Sequence, residues 1–238
     1  MGNMERSNDM SLKKTILSLT KFEIFLWITS VFVIIISYIN NQNSILNIIT
    51  SIIGITGVLF LAKASVLGPI LFVGFAVMYA IISYYFHYYG ETITYLLMDL
   101  PISIASIISW IRNPYKDTQE VKVNKLNKKQ IVVLIISSII VTSIFYYILK
   151  ILNTENLIVS TISVATSYIA SYLMFFRNRF YGLGYAINDI VLICLWAYAS
   201  LKNISYISML LCFIMFLIND IYALYNWHII YHKQKNAN

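Results

Sequence analysis

Charge is the first thing this chain lacks. Of its 238 residues only 11% are Asp, Glu, Lys or Arg, while 59% are hydrophobic. Soluble domains carry roughly 25% charged and about 45–50% apolar residues. So few charges cannot solvate a surface in water. The composition excludes an ordinary soluble domain and implies a single membrane domain surrounded by lipid. Cysteine is scarce too: Cys194 and Cys212 both lie inside apolar runs, form no C-x-x-C pair and support no disulfide framework. They read as small apolar packers. There are only three histidines. His228 and His232 stand at i and i+4, but the glutamate of a zinc helix is missing, and His87 is expected on the other side of the membrane. No G-x-S-x-G, phosphate-binding loop or Cys-His constellation appears. Neither an enzyme nor an ATP-driven pump is expected, and no metal or cofactor. The net charge of +7 is not gathered into a face that could hold nucleic acid.

What is present is apolar length. A bilayer core of about 30 Å takes about 20 apolar residues in a helix. Eight runs meet that requirement: 22–39, 45–62, 67–86, 93–111, 131–152, 157–176, 181–200 and 204–230. The runs lack the apolar–polar alternation of barrel strands, and open strands would leave backbone groups unpaired in hydrocarbon. The fold class is therefore all-α integral membrane with eight transmembrane helices. The first run is longer than a signal core and ends in Asn40-Asn41-Gln42-Asn43 rather than a cleavage site, so it is expected to remain as a helix.

Lys and Arg collect before the first run, at Lys63, in the loop 112–130, at Arg177 and Arg179, and after the last run. These positions are alternate ends of the spans. The positive-inside rule then places both termini in the cytoplasm, which an even number of spans requires. The expected organisation is a cytoplasmic tail (1–21), an extra helix (22–39), a three-helix unit (45–111), the basic cytoplasmic loop (112–130), a linker helix (131–152), a second three-helix unit (157–230) and a short tail (231–238). The two units share landmarks. Tyr79 and Trp196 stand late in their second helices, and Trp110 and Trp227 at the inner ends of their third helices, both pairs 117 residues apart. With one linker between them the units run in the same direction. Such parallel repeats place the substrate site of a transporter at their interface, near mid-membrane.

Polar groups inside a span are costly and therefore face the bundle interior or a wet cavity. Asp99, Asp189 and Asp220 are the clear cases, with Asn188 and Asn219 beside the last two. Asp189 and Trp196 are seven residues apart, as are Asp220 and Trp227, so each pair shares a helix face; Tyr222 follows Asn219 by three. Aromatic, amide and hydroxyl groups together suit a flat, polar, ring-bearing ligand, and a cationic ring would gain from a Trp face. The candidate substrate residues are Asn188, Trp196, Asn219, Tyr222, Tyr79, Asp189, Asp220 and Asp99. For the aspartates the competing role is to tie helices together by hydrogen bonds. Trp110 and Trp227 are expected to anchor helices at the interface, and most of the 19 tyrosines to form an interfacial belt.

Residues 172–180 (YLMFFRNRF), 185–196 (YAINDIVLICLW) and 216–227 (FLINDIYALYNW) are similar to segments of the bacterial vitamin transporters called PnuC. Leu61-Ala-Lys63, Tyr89-Gly90 and the stretch from Pro101 to Trp110 fit more loosely. Ala223 and Ala64 stand where that family usually has glycine. The resemblance spans residues 45–234. It implies a SWEET-like arrangement of two three-helix repeats and a linker, in the bacterial inner membrane. It further implies uptake of nicotinamide riboside by facilitated diffusion, trapping by a cytoplasmic kinase, and a homotrimer. Relatives are associated with thiamine or riboflavin, and a vitamin-capture subunit of a larger complex is the other alternative.

Overall fold

The computed structural model describes residues 18–41, 45–86, 88–116, 118–154 and 156–237. The expected tail 1–21 therefore lies mostly outside the described residues, as does His87. The described residues form eight membrane-length helices and no β-strand. They are α1 (Lys21–Asn41), α2 (Ile45–Ala62), α3 (Leu67–Tyr85), α4 (Tyr89–Ile111), α5 (Lys128–Ile151), α6 (Leu157–Phe175), α7 (Tyr181–Lys202) and α8 (Ile207–Asn236). Helices are what such runs must form, because hydrocarbon offers the backbone no partner but itself. Two spans depart from the expected limits. α8 has 30 residues, about 45 Å at 1.5 Å per residue, so its end projects beyond the hydrocarbon. α4 starts four residues earlier than the apolar run, which takes Glu91 into the span. It widens to a π-helical turn at Tyr95–Asp99 before resuming as α-helix at Leu100. The wide turn ends just before Pro101, a residue with no N–H to give to the preceding turn.

The turns after α2 and α6 are built alike. Ala64 and Arg177 both take the left-handed conformation, with φ of 53° and 54°. Ala64 N–H donates to the Leu61 carbonyl and Ser65 N–H to that of Phe60; Arg177 N–H donates to the Met174 carbonyl and Asn178 N–H to that of Leu173. This is the Schellman pattern, which satisfies carbonyls the helix end would otherwise orphan. The landmark pairs meet in space. Trp196 Nε1–H donates to Tyr79 Oη at 2.9 Å, and the Trp110 and Trp227 rings lie 5.7 Å apart. Trp110 Nε1–H donates to the Met174 carbonyl and Trp227 Nε1–H to that of Leu61. Each unit's third helix thus reaches the first helix of the other unit at the matching carbonyl, as residues near a two-fold axis do. All of this agrees with two parallel repeats. It also corrects the expectation for Trp110 and Trp227. Both are fully buried, because their indole N–H groups cap helix ends inside the bundle rather than reaching toward headgroups.

α2 packs on α3, and α7 on α6 and α8; α2 with α8, and α4 with α6, join the two units. α1 lies against α2 and α8. α5 packs chiefly on α6 and buries only Phe145 and Leu149. The basic loop laces the end of the bundle where Lys63 and Arg177 stand. Val121 N–H donates to the Ala64 carbonyl, Asn124 N–H to that of Arg177, and Gln234 of α8 bonds Val121 and Val123. Arg177 donates to Ser109 and to the Lys122 carbonyl; partial burial pulls its guanidinium below its ordinary value through lost hydration.

Candidate functional site

The two units meet around a cavity walled by α2, α3, α4, α7 and α8. Apolar side chains (Val58, Leu61, Phe72, Phe213, Phe216) and two tyrosines (Tyr95, Tyr185) form most of the wall. Its polar groups are Asn188, Asp189 and Asp220. Asn188 Oδ1 accepts from Thr166 Oγ1 at 2.8 Å, which leaves its amide hydrogens free to turn toward a ligand. The Asp189 and Asp220 carboxyl groups stand side by side in this wall. Both are 2% exposed, and Asp189 Oδ2 and Asp220 Oδ1 have no partner in the protein. Helix contact is close here: a Cβ on Gly182 of α7 would lie 2.8 Å from Leu224 N and 2.9 Å from the Asp220 carbonyl oxygen, so only glycine lets α7 and α8 approach this far. The cavity gives a water molecule's centre about 10 Å³, against roughly 300–1,000 Å³ for small-molecule pockets. A ligand enters only when the walls part.

Trp196 is not in this wall. It lies two helical turns farther from the basic end, about 10 Å along α7. There it packs on Tyr88 and Tyr206 at 5.0 and 6.0 Å between ring centroids. Its partner Tyr79 reaches the cavity side, 4.4 Å from Tyr95 and 5.5 Å from Phe213. Tyr79 and Trp196 are both fully buried and close the cavity on that side with an aromatic plug.

Comparison with known proteins decides the family. The family model described as nicotinamide mononucleotide transporter matches residues 44–229. The chain belongs to that transporter family. It is 28% identical over 195 residues to the nicotinamide riboside transporter PnuC of Neisseria mucosa, covering 80% of this chain and 74% of that one. It also superimposes on the crystal structure of the vitamin B3 transporter PnuC with a TM-score of 0.80 and 26% identity, over 91% of this chain and 94% of that one. The chain is a multi-pass membrane transporter of this family, not an enzyme.

The transporter's other sequence-predicted residues sit apart from the cavity. Asp99 accepts from Ser167 Oγ at 2.9 and 3.0 Å and from Ser171 Oγ at 2.7 Å, which joins α4 to α6. Ser171 also meets Tyr185 Oη, so the Asp99 seam touches the cavity wall through one tyrosine. Asn219 Nδ2 donates to the Met215 carbonyl and to Ser30 Oγ of α1; it faces the extra helix. Tyr222 Oη donates to Glu23 of α1 at 2.8 Å. It lines a second, more open space of about 390 Å³ at the basic end, with Glu23, Lys63 and Asn226. The structure therefore brings together Asn188, Asp189 and Asp220, adds Tyr79 and Trp196 as a lid, and leaves Asp99, Asn219 and Tyr222 on adjoining helix contacts.

Two buried acids were not among the sequence candidates. Glu91 accepts from Ser163 Oγ at 3.2 Å. Glu23 pairs with Lys63 at 3.1 Å and caps its own helix through Thr20. The Thr20-x-x-Glu23 capping-box spacing was available in the sequence. Glu91 stands outside its apolar run and gave no such signal.

Proposed function

We propose that this transporter carries nicotinamide riboside through the interface between its two three-helix units. The observation that carries the reading is the mid-membrane cavity between the units, where Asn188, Asp189 and Asp220 stand among aromatic rings. The riboside named for the similar Neisseria mucosa transporter supports the choice of ligand. Asn188 offers its amide to the carboxamide or ribose hydroxyls. Tyr79 and Trp196 swing from the plug to cover the ring when the units rock and the cavity widens. The cavity wall holds no Lys or Arg to receive a phosphate, so the unphosphorylated riboside fits better than its nucleotide.

Movement is facilitated diffusion, and a cytoplasmic kinase that phosphorylates the riboside gives it direction. Both termini and the basic loop face the cytoplasm of a bacterial cell. The protein works as a homotrimer; the apolar, open face of α5 supports association within the bilayer, and native mass spectrometry should count three chains. The binding assignment is tested by calorimetry on detergent-solubilised protein. The wild type should bind nicotinamide riboside in preference to thiamine and riboflavin, and Asn188→Ala should weaken it tenfold or more, about 1.4 kcal/mol. Preference for thiamine or riboflavin changes the vitamin; unchanged affinity in Asn188→Ala overturns the site.

A further inference from the structure

The acid pair Asp189–Asp220 is unusual for where it stands. Its two carboxyl groups come from different helices of the second unit, α7 and α8, and lie against each other at mid-membrane. Two buried carboxyl groups side by side do not both ionise, so the pair when ionised carries a single negative charge. That charge is isolated. Among the described residues the ion pairs are Lys63–Glu23 and Lys233–Glu120, both at the basic end. The titratable groups beside the pair are Tyr95 of α4, Tyr181 and Tyr185 of α7 and Cys212 of α8, none of them cationic. An unpaired buried charge is expensive, and an ionisable residue kept inside a membrane marks a functional site by default.

The pair's surroundings name what would relieve it. Asp189 Oδ2 and Asp220 Oδ1 are buried without partners, and both residues line the cavity. Five aromatic rings, of Phe72, Tyr95, Tyr185, Phe213 and Phe216, line the same space. Ring faces attract cations through their quadrupoles, more strongly when water is excluded. Carboxylate oxygens and ring faces around one small cavity are the surroundings an organic cation requires, and they offer a neutral ring less.

We propose that Asp189 and Asp220, framed by these rings, act as a charge filter that admits a ligand with a positively charged aromatic ring and holds off its neutral counterpart. The inference rests on the reading of this cavity as the substrate site. A cation neutralises the pair as it seats. A neutral ligand of the same shape leaves the charge unpaired and removes what water could reach it during opening.

Two forms of one ligand test this. Nicotinamide riboside carries a pyridinium cation; its 1,4-dihydro form is neutral and keeps the ribose and carboxamide. Calorimetry on the wild type should give at least tenfold tighter binding of the cation. The double variant Asp189→Asn/Asp220→Asn, which removes the charge and keeps the side-chain size, should bring the ratio toward one while the dihydro form binds as before; each single Asn variant keeps one carboxylate and should keep the preference for the cation. Equal binding of the two forms by the wild type, or an undiminished ratio in the folded double variant, overturns the filter and leaves the riboside reading intact. Where an Asn variant does not fold, the wild-type ratio decides. If neither riboside form binds, the riboside reading fails, and thiamine against 3-deazathiamine, its neutral thiophene analogue, puts the same question. A preference for thiamine there supports the filter; equal binding, or binding of neither, overturns it.

Discussion

Among the described residues, four carboxyl groups lie within the spans away from the basic end, and they are accommodated in three ways. Glu91 leans on one serine and Asp99 on two, while Asp189 and Asp220 stand beside each other. Removing a donor leaves a buried acceptor unsatisfied, at about 1–3 kcal/mol per lost partner. Ser167→Ala and Ser171→Ala are therefore each expected to lower the melting temperature in detergent, with the double variant worse than either. A double variant that melts with the wild type would contradict the Asp99 seam. Asp99, Asn188, Asp189 and Asp220 were legible in the sequence because a polar residue stands out against an apolar run. Their serine and threonine partners were not, since hydroxyls occur throughout these helices and bond their own backbone as readily, as Thr161 does with Leu157. Trp196 was legible as an aromatic on the face of Asp189. That it meets Tyr79, and not the cavity, depends on a helix from the other unit.

At the scale of the element, the turns carry the sharpest expectations. Ala64 holds a left-handed conformation that an L side chain adopts at a cost of about 1–2 kcal/mol. Ala64→Gly should relieve it, with part of the gain returned as unfolded-chain entropy. A rise in melting stability of up to about 1 kcal/mol is expected, and a fall would show that the Ala64 methyl packs usefully. Gly182 is the opposite case. Its missing Cβ admits the backbone of α8 at Leu224 and Asp220, so Gly182→Val must push α7 and α8 apart. It should lower thermal stability by roughly 1–3 kcal/mol and weaken ligand binding with it. The helices themselves were legible from hydropathy, and seven of the eight limits on the N-terminal side fall within three residues of the apolar runs. The start of α4 was not, because Glu91 reads as a loop residue until its serine partner is seen. Nor was the π-helical turn, which depends on how Pro101 is accommodated between α3 and α6.

At the scale of the whole molecule, span number and basic-end asymmetry came directly from composition and charge. The pairing of units came from spacing: residues 117 apart, Tyr79 with Trp196 and Trp110 with Trp227, touch across the interface. What spacing could not supply was depth. Trp110 and Trp227 look like interfacial anchors in one dimension, yet each caps the other unit's first helix inside the bundle. The role of α1 was equally hidden. Its Glu23 joins Lys63 at the end of α2 to Tyr222 of α8, so the extra helix clasps both units at the basic end. Rocking of the units has to pass through that clasp and through the Tyr79–Trp196 plug on the other side. The central claim is that the single chain type carries the riboside down its gradient through this interface. Its most direct test is uptake of labelled nicotinamide riboside into liposomes containing only this protein, without ATP or an ion gradient. Uptake should proceed until inside and outside concentrations are equal, fall at least tenfold with Asn188→Ala, and show no accumulation beyond equality. Liposomes that take up no riboside while the same protein carries another solute, or uptake that requires ATP or an imposed ion gradient, would contradict the account.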